Sequence, residues 1–215
     1  MPAATHIRLN LRPHPATLCP QVLAVQASLK WQCWQDPPLL RLWYRTRGHT
    51  AALRVPAPEP PGPPAEDLWR HLCFEAFFGV SDGDGRYHEF NFSPSGRWGA
   101  FAFSAPRVRE AHHPTVASRP LWKSVHARNE ANSYTALVAN DPLLKVVHAE
   151  HAILLTAALP VSALPPLGRA PGWQVGLSAV IETADGALSY WALAHPAPRP
   201  DFHQRAGWTL RLTPP

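Results

Sequence analysis

Apolar and polar positions alternate with period two over much of the chain, the mark of strands that bury one face. Ile7 to Leu11 alternates, and Val22 to Trp31 puts Leu23, Val25, Ala27, Leu29 and Trp31 on one side, with Gln26, Ser28 and Lys30 opposite. Leu39 to Tyr44 predicts a third strand. Leu68 to Phe78 reads as a strand with Leu68, Leu72, Phe74, Ala76 and Phe78 toward a core and Trp69, His71, Cys73, Glu75 and Phe77 on the other face. A glycine-bearing turn at 81–85 leads into Tyr87 to Phe92, where Phe90 and Phe92 face opposite to Tyr87, Glu89 and Asn91. A second turn at 93–96 leads into Arg97 to Phe103, completing a three-stranded antiparallel meander.

Residues 104–141 carry little periodicity and predict loops and short strands, with His112 and His113 in an exposed loop. His151 to Leu159 is a further apolar run. Val175 to Glu182 and Leu188 to Leu193, joined through Ala184 to Gly186, form another hairpin, and Trp208 to Leu212 a terminal strand. About eight or more short strands with no long helical period predict an all-β fold, an antiparallel β-sandwich with long irregular loops. The run VPAPEPPGPP from Val55 to Pro64 can donate few backbone hydrogen bonds. It predicts an extended surface loop at 56–64 within a single domain spanning 1–215.

Composition sharpens this picture. Pro occurs 26 times and Trp 9 times while only 16% of the 215 residues are charged, which disfavours a helical bundle. The net charge is +5, but the basic residues are scattered singly along the chain, so nucleic acid is not expected as a partner. No basic segment followed by an apolar run opens the sequence, and no stretch reaches the roughly 18 apolar residues of a membrane span. A cytoplasmic protein is expected. Three cysteines without CxxC spacing fit buried, reduced thiols in that compartment.

The candidate chemistry sits on the polar face of the meander. Glu75 lies between Phe74 and Phe77, and an ionised carboxylate amid apolar neighbours costs several kcal/mol unless it finds a partner or a purpose. On the strand reading, Trp69 and His71 share its face, and the next strand adds Tyr87, Glu89 and Asn91, with Arg97 near the turn. Such acceptors and donors suit the hydroxyls of a small polar ligand. The competing reading pairs Glu75 and Glu89 with Arg97, Arg70 or His71 inside the sandwich. Farther along, Trp191, His195 and His203 lie in an aromatic and histidine-rich stretch. His195 and His203 match no compact zinc motif, so no metal site is assigned. No GxSxG elbow or phosphate-cradling glycine loop occurs, and the only enzymatic alternative is a hydrolase using Glu75 and Glu89.

The stretch from Asp67 to Phe77, followed by Tyr87 to Trp98, resembles the DOMON-like superfamily, which includes type 9 carbohydrate-binding modules. Gly176 to Glu182, Leu188 to Pro196 and Pro200 to His203 resemble its bacterial branch. The resemblance covers 65–104 and 175–212. It implies a β-sandwich that holds a sugar or similar polyol between two tryptophans, with an acid, an arginine and amides on its hydroxyls. By position Trp69 matches one plate, Glu75 the acid and Arg97 the arginine, while Trp173 or Trp191 is the second plate. Haem-binding members ligate iron through Met and His, and the only methionine here is Met1. The resemblance therefore leaves bis-His ligation as the route to a haem or other redox-cofactor module, and no particular cofactor is indicated.

Overall fold

The computed structural model describes residues 6–33, 38–60, 65–110, 126–128, 134–136 and 144–215. The alternating runs form strands β1 (Ile7–Pro13), β2 (Val22–Gln32), β3 (Leu39–Gly48), β4 (Cys73–Val80), β5 (Tyr87–Phe92), β6 (Trp98–Ala105) and β7 (Val108–Arg109). They continue as β8 (His126–Arg128), β9 (Tyr134–Ala136), β10 (Lys145–Ala149), β11 (Ala152–Pro160), β12 (Trp173–Glu182), β13 (Leu188–Ala192) and β14 (Leu210–Leu212). All pairings are antiparallel, in the order β10-β11-β3-β2-β1-β13-β12-β4-β5-β6-β7, with β14 beside β12 and the short β8–β9 pair separate.

The long path folds over at β1, which pairs with β2 through Ile7 to Leu11 and with β13 through Arg12 and Pro13. The two layers on either side of that fold make an antiparallel β-sandwich. Leu40, Leu42 and Tyr44 from β3 meet Phe74, Ala76 and Phe78 from β4 in one apolar core with Leu177 and Ala179 of β12. Tyr44 crosses between layers: its ring stacks on Phe74 at 5.0 Å, and its hydroxyl donates to the Glu75 carbonyl at 2.7 Å.

The β4-β5-β6 meander and the β12–β13 hairpin stand where the alternation places them. Three local expectations are corrected. Leu23 points outward, 74% exposed, because a bulge between Val22 and Ala24 inserts one extra residue and reverses its face. Leu68 to Arg70 is a turn of 3-10 helix rather than strand; it follows Asp67 in the left-handed region (φ 59°), so β4 begins only at Cys73. Cys33 is exposed, whereas Cys19 and Cys73 are buried. Residues 56–60 of the proline loop belong to no strand or helix and are tied by Glu59 N–H to the Ser95 carbonyl at 2.7 Å. Residues 61–64, His112, His113 and most of the 104–141 stretch lie outside the described residues. No helix among the described residues is long and apolar enough to cross a membrane.

Strands β4 and β5 are buried along both faces. One face meets the sandwich core. The other carries a second, smaller cluster of Phe77, Tyr87, Phe101, Phe103 and Trp208 with Phe202 packed on it, so the segment before β14 folds back over the outer surface. Two glycines make this possible. A side chain at Gly176 would meet Trp208 Cδ1 at 2.3 Å, and one at Gly99 would meet the Ala65 carbonyl oxygen at 2.6 Å. The 196–208 segment and the 65–70 segment each lie directly on the sheet where a glycine leaves room.

Candidate ligand pocket on the outer sheet face

Between these two covering segments the sheet is left open over a cavity of about 590 Å³. Its floor carries Glu75 and Glu89; its walls include Trp69, Phe101, Tyr190 and His203, with Arg107 and Arg109 at the mouth. Strand register explains the floor: Glu75 stands directly across from Asn91, and Glu89 lies two residues farther along on the same face.

Glu75 is 3% and Glu89 5% exposed, and among the described residues neither meets a Lys or Arg at ion-pair distance; the histidine His203 stands 3.8 Å from Glu89. Burial pushes the Glu75 carboxyl well above the usual range, the Glu89 charge pushes the same way, and Ser178 across on β12 opposes them. Burial likewise holds Glu89 up at about 7, against the opposing pull of Asn91, Arg109 and Arg107. A carboxyl held above its usual range keeps its proton to higher pH, so this floor can donate as well as accept hydrogen bonds. Asn91 Nδ2 donates to Glu89 Oε1 at 2.8 Å, which leaves Glu89 Oε2 buried with no hydrogen-bond partner.

His203 faces that oxygen across the gap. Burial pushes the Tyr87 phenol up to about 12, so its hydroxyl keeps its proton; the oxygen accepts from Arg107 N–H at 3.2 Å and the hydroxyl donates to His203 Nδ1 at 2.6 Å. That arrangement leaves the neutral imidazole proton on Nε2. Burial, and then Arg107, push the His203 imidazole down to about 4. Nε2 lies 3.8 Å from Glu89 Oε2, too far for a direct bond. A hydroxyl placed between them would accept from Nε2–H and exchange a hydrogen bond with the carboxyl.

The wall that carries His203 is anchored in several places. Trp208 stacks on Phe77 at 5.6 Å and donates from Nε1 to the Phe202 carbonyl at 2.8 Å. Arg205 donates to the Val80 carbonyl at 2.7 Å, and Asp201 accepts both from the His203 backbone N–H and from Arg107. At the mouth Arg109 binds both oxygens of Glu66 at 2.7 and 2.8 Å, its guanidinium 4.0 Å over the Phe101 ring. Trp69 remains 46% exposed at the rim.

Of the residues singled out in the sequence, Trp69, Glu75, Glu89 and His203 line the cavity, with Asn91 directly behind Glu89. The others stand elsewhere. His71 binds Glu182 at 2.9 Å, and Arg97 reaches Glu59 in the proline loop at 3.3 Å. Trp191 points into the sandwich core, its Nε1 donating to Ser189, and Trp173 is likewise a core residue that donates to the Pro165 carbonyl. His195 meets the Arg12 carbonyl at 2.8 Å and packs against His14. Pairing of Glu75 or Glu89 with Arg97, Arg70 or His71 does not occur: Arg70 meets Asp67 instead. Sequence reasoning missed Tyr190, Arg107 and Arg109. Tyr190 could have been found, because it is the alternate-face neighbour of Trp191. Among the described residues no group of three His, Cys, Asp or Glu could hold a metal ion.

No family model and no curated protein matches the chain. A solved structure from Bacteroides uniformis ATCC 8492, of a candidate carbohydrate-binding protein, is similar in fold, with a TM-score of 0.55 and 16% identity. The likeness covers 95% of this chain and 84% of that one.

Proposed function

We propose that the protein binds a small polyol, a mono- or oligosaccharide, in the outer-face cavity, without catalysis. The observation that carries this reading is the floor itself. Two buried carboxyls that meet no Lys or Arg at ion-pair distance among the described residues, an orphaned Glu89 Oε2 and a histidine 3.8 Å from it converge on an open space, at a cost to the fold that a ligand would offset. Carboxyls held above their usual range both donate and accept, as sugar hydroxyls do. Trp69 at the rim supplies an apolar plate, and Tyr190 and Phe101 supply the opposite walls in place of the second tryptophan. The carbohydrate-binding name of the Bacteroides neighbour and the resemblance to DOMON-like domains agree with this reading.

A thermal-shift panel of mono- and oligosaccharides tests it. A sugar supplied at about 100 times its dissociation constant raises stability by about 2.7 kcal/mol. Trp69→Ala weakens the best binder roughly tenfold, the effect of losing one stacking plate. If no sugar shifts the melting curve, or Trp69→Ala leaves affinity intact, the proposal fails. A second reading rests on one observation: Glu89, held near 7 beside another carboxyl, has the protonation behaviour of a general acid in glycoside hydrolysis. Release of reducing sugar, lost in both Glu75→Gln and Glu89→Gln, would select that reading.

A further inference from the structure

The opposite side of the sandwich carries a different chemistry. Strands β10, β11, β3, β2 and β1 contain no Asp or Glu at all. Their outward positions carry Arg8, Lys30, Arg41, Arg45, Arg47 and Lys145, besides Arg12 at the end of β1 that pairs with β13. Singly spaced in the sequence, these cations are gathered by the pleat onto one face. Arg41, Arg45 and Arg47 occupy alternate, outward sites of β3, and Leu40, Leu42, Tyr44 and Thr46 point inward. Register lines up Arg8, Ser28, Trp43, Thr156 and Lys145 in one cross-strand row, with Arg41 and Lys30 directly opposed in another.

Like charges directly across a sheet repel. Elsewhere Arg54, Arg70, Arg86, Arg97, Arg107 and Arg109 each meet a carboxylate. Among the described residues, none of the six cations on this face does so. At the end of the face a depression of about 950 Å³ is bounded by Arg45, Arg47, His49 and His151, with Glu150 engaged by His151 at 3.5 Å.

From this uncompensated basic face we infer a second binding surface, for single-stranded nucleic acid. Trp43 sits at its centre, half-buried, with His6 beside it at a ring distance of 5.3 Å and Arg41 and Arg45 two residues away on either side. A nucleotide in a strand has its base between two phosphates, and this order of cation, aromatic, cation along β3 matches it. An acidic sugar carries its charge on the ring that would stack. A broad sheet face cannot enter the major groove of a duplex, whereas it offers a stacking platform to splayed bases. Arginine outnumbers lysine here four to two (Arg8, Arg41, Arg45 and Arg47 against Lys30 and Lys145), in keeping with planar, forked recognition of phosphate.

Fluorescence anisotropy of the full chain with a labelled 15-nucleotide oligo(dT), the matching duplex and polygalacturonate as competitor tests the inference. Expected is a dissociation constant of about micromolar order at 50 mM salt, with a log–log salt slope of about −3, as about four phosphate contacts give on a single strand. The duplex binds at least tenfold more weakly, and polygalacturonate displaces the oligonucleotide only at large charge excess. Arg41→Ser with Arg45→Ser weakens binding by tenfold or more. Trp43→Leu weakens it roughly tenfold with the salt slope unchanged. Arg45 is exposed and Arg41 half-buried on the outer face, where it donates to Gln32 rather than packing in the sandwich core, so the pair decides the matter even if Trp43→Leu folds poorly. No binding at 50 mM salt, equal binding of duplex, displacement by polygalacturonate at charge equivalence, or an arginine pair without effect overturns the inference.

Discussion

Gly176→Ala is expected to destabilise the protein by about 3 kcal/mol and to abolish sugar binding at the outer face. The added methyl would meet Trp208 Cδ1 at 2.3 Å, Nε1 at 2.7 Å and Cγ at 2.8 Å, all atoms of one stiff ring system. Trp208 is only 3% exposed, pinned by stacking on Phe77 and by its bond to the Phe202 carbonyl, so it cannot swing aside without giving up its burial. Overpacking of this kind costs about 1–3 kcal/mol, and lifting a large aromatic from its seat adds to it. Because Trp208 anchors the segment carrying Asp201 and His203, the pocket wall moves with it. Urea unfolding and sugar titration of the variant check this. An unchanged midpoint would show that the ring relocates freely and that the wall does not depend on Gly176.

Glu89→Gln is expected to make the protein more stable above neutral pH, by an amount on the order of 3 kcal/mol at pH 8, and to leave it nearly unchanged at pH 4. Glu89 holds its proton up to about 7 in the folded chain, whereas an ordinary glutamate loses it near 4.5. Between those values the folded state binds more protons than the unfolded one, so this group's contribution falls as pH rises and is fully unfavourable above about 7. His203 acts with the opposite sign. It is held down to about 4 against an ordinary value of 6.5, so the unfolded state binds more protons there and stability rises with pH through that window. In the wild type the two slopes oppose each other. In the variant the Glu89 slope is gone and His203 is opposed only by Glu75, which burial still holds above its usual range, so unfolding free energy should rise more steeply, or fall less, between about pH 4 and 6.5 than in the wild type. A variant no more stable than wild type at pH 8 would mean that Glu89 is compensated in the fold and is not held at a cost for a ligand.

The polar floor of the pocket was legible because period two in β4 and β5 commits Glu75, Glu89 and Asn91 to one face, and the turns at 81–85 and 93–96 leave no other way to pair them. Alternation does not say which face is the core when both are aromatic. Trp191 and Tyr190 are neighbours of similar character, and the larger, more apolar ring went inward. Arg97 sits at a turn, where parity is lost, and its partner Glu59 lies in a loop that no local pattern connects to it. Trp69 stands at the pocket although it is in a 3-10 turn rather than on the expected strand, because the chain reverses tightly after Asp67. Arg107 and Arg109 belong to a turn and a two-residue edge strand, too short to show any period. The basic face was invisible for a related reason: charges spaced singly along five strands become neighbours only once register is known.

Glu75→Gln, measured for urea unfolding at pH 7.5 and for affinity toward the tightest sugar of the thermal-shift panel, tests the ligand site most directly. The change keeps the shape of the side chain and removes a buried carboxyl that meets no Lys or Arg among the described residues. Expected is stability equal to or above wild type, with affinity lowered by one to two decades, roughly 1.5 to 3 kcal/mol. A loss of several kcal/mol of stability with affinity intact in the folded fraction would contradict it, and would make Glu75 a structural group of the sheet.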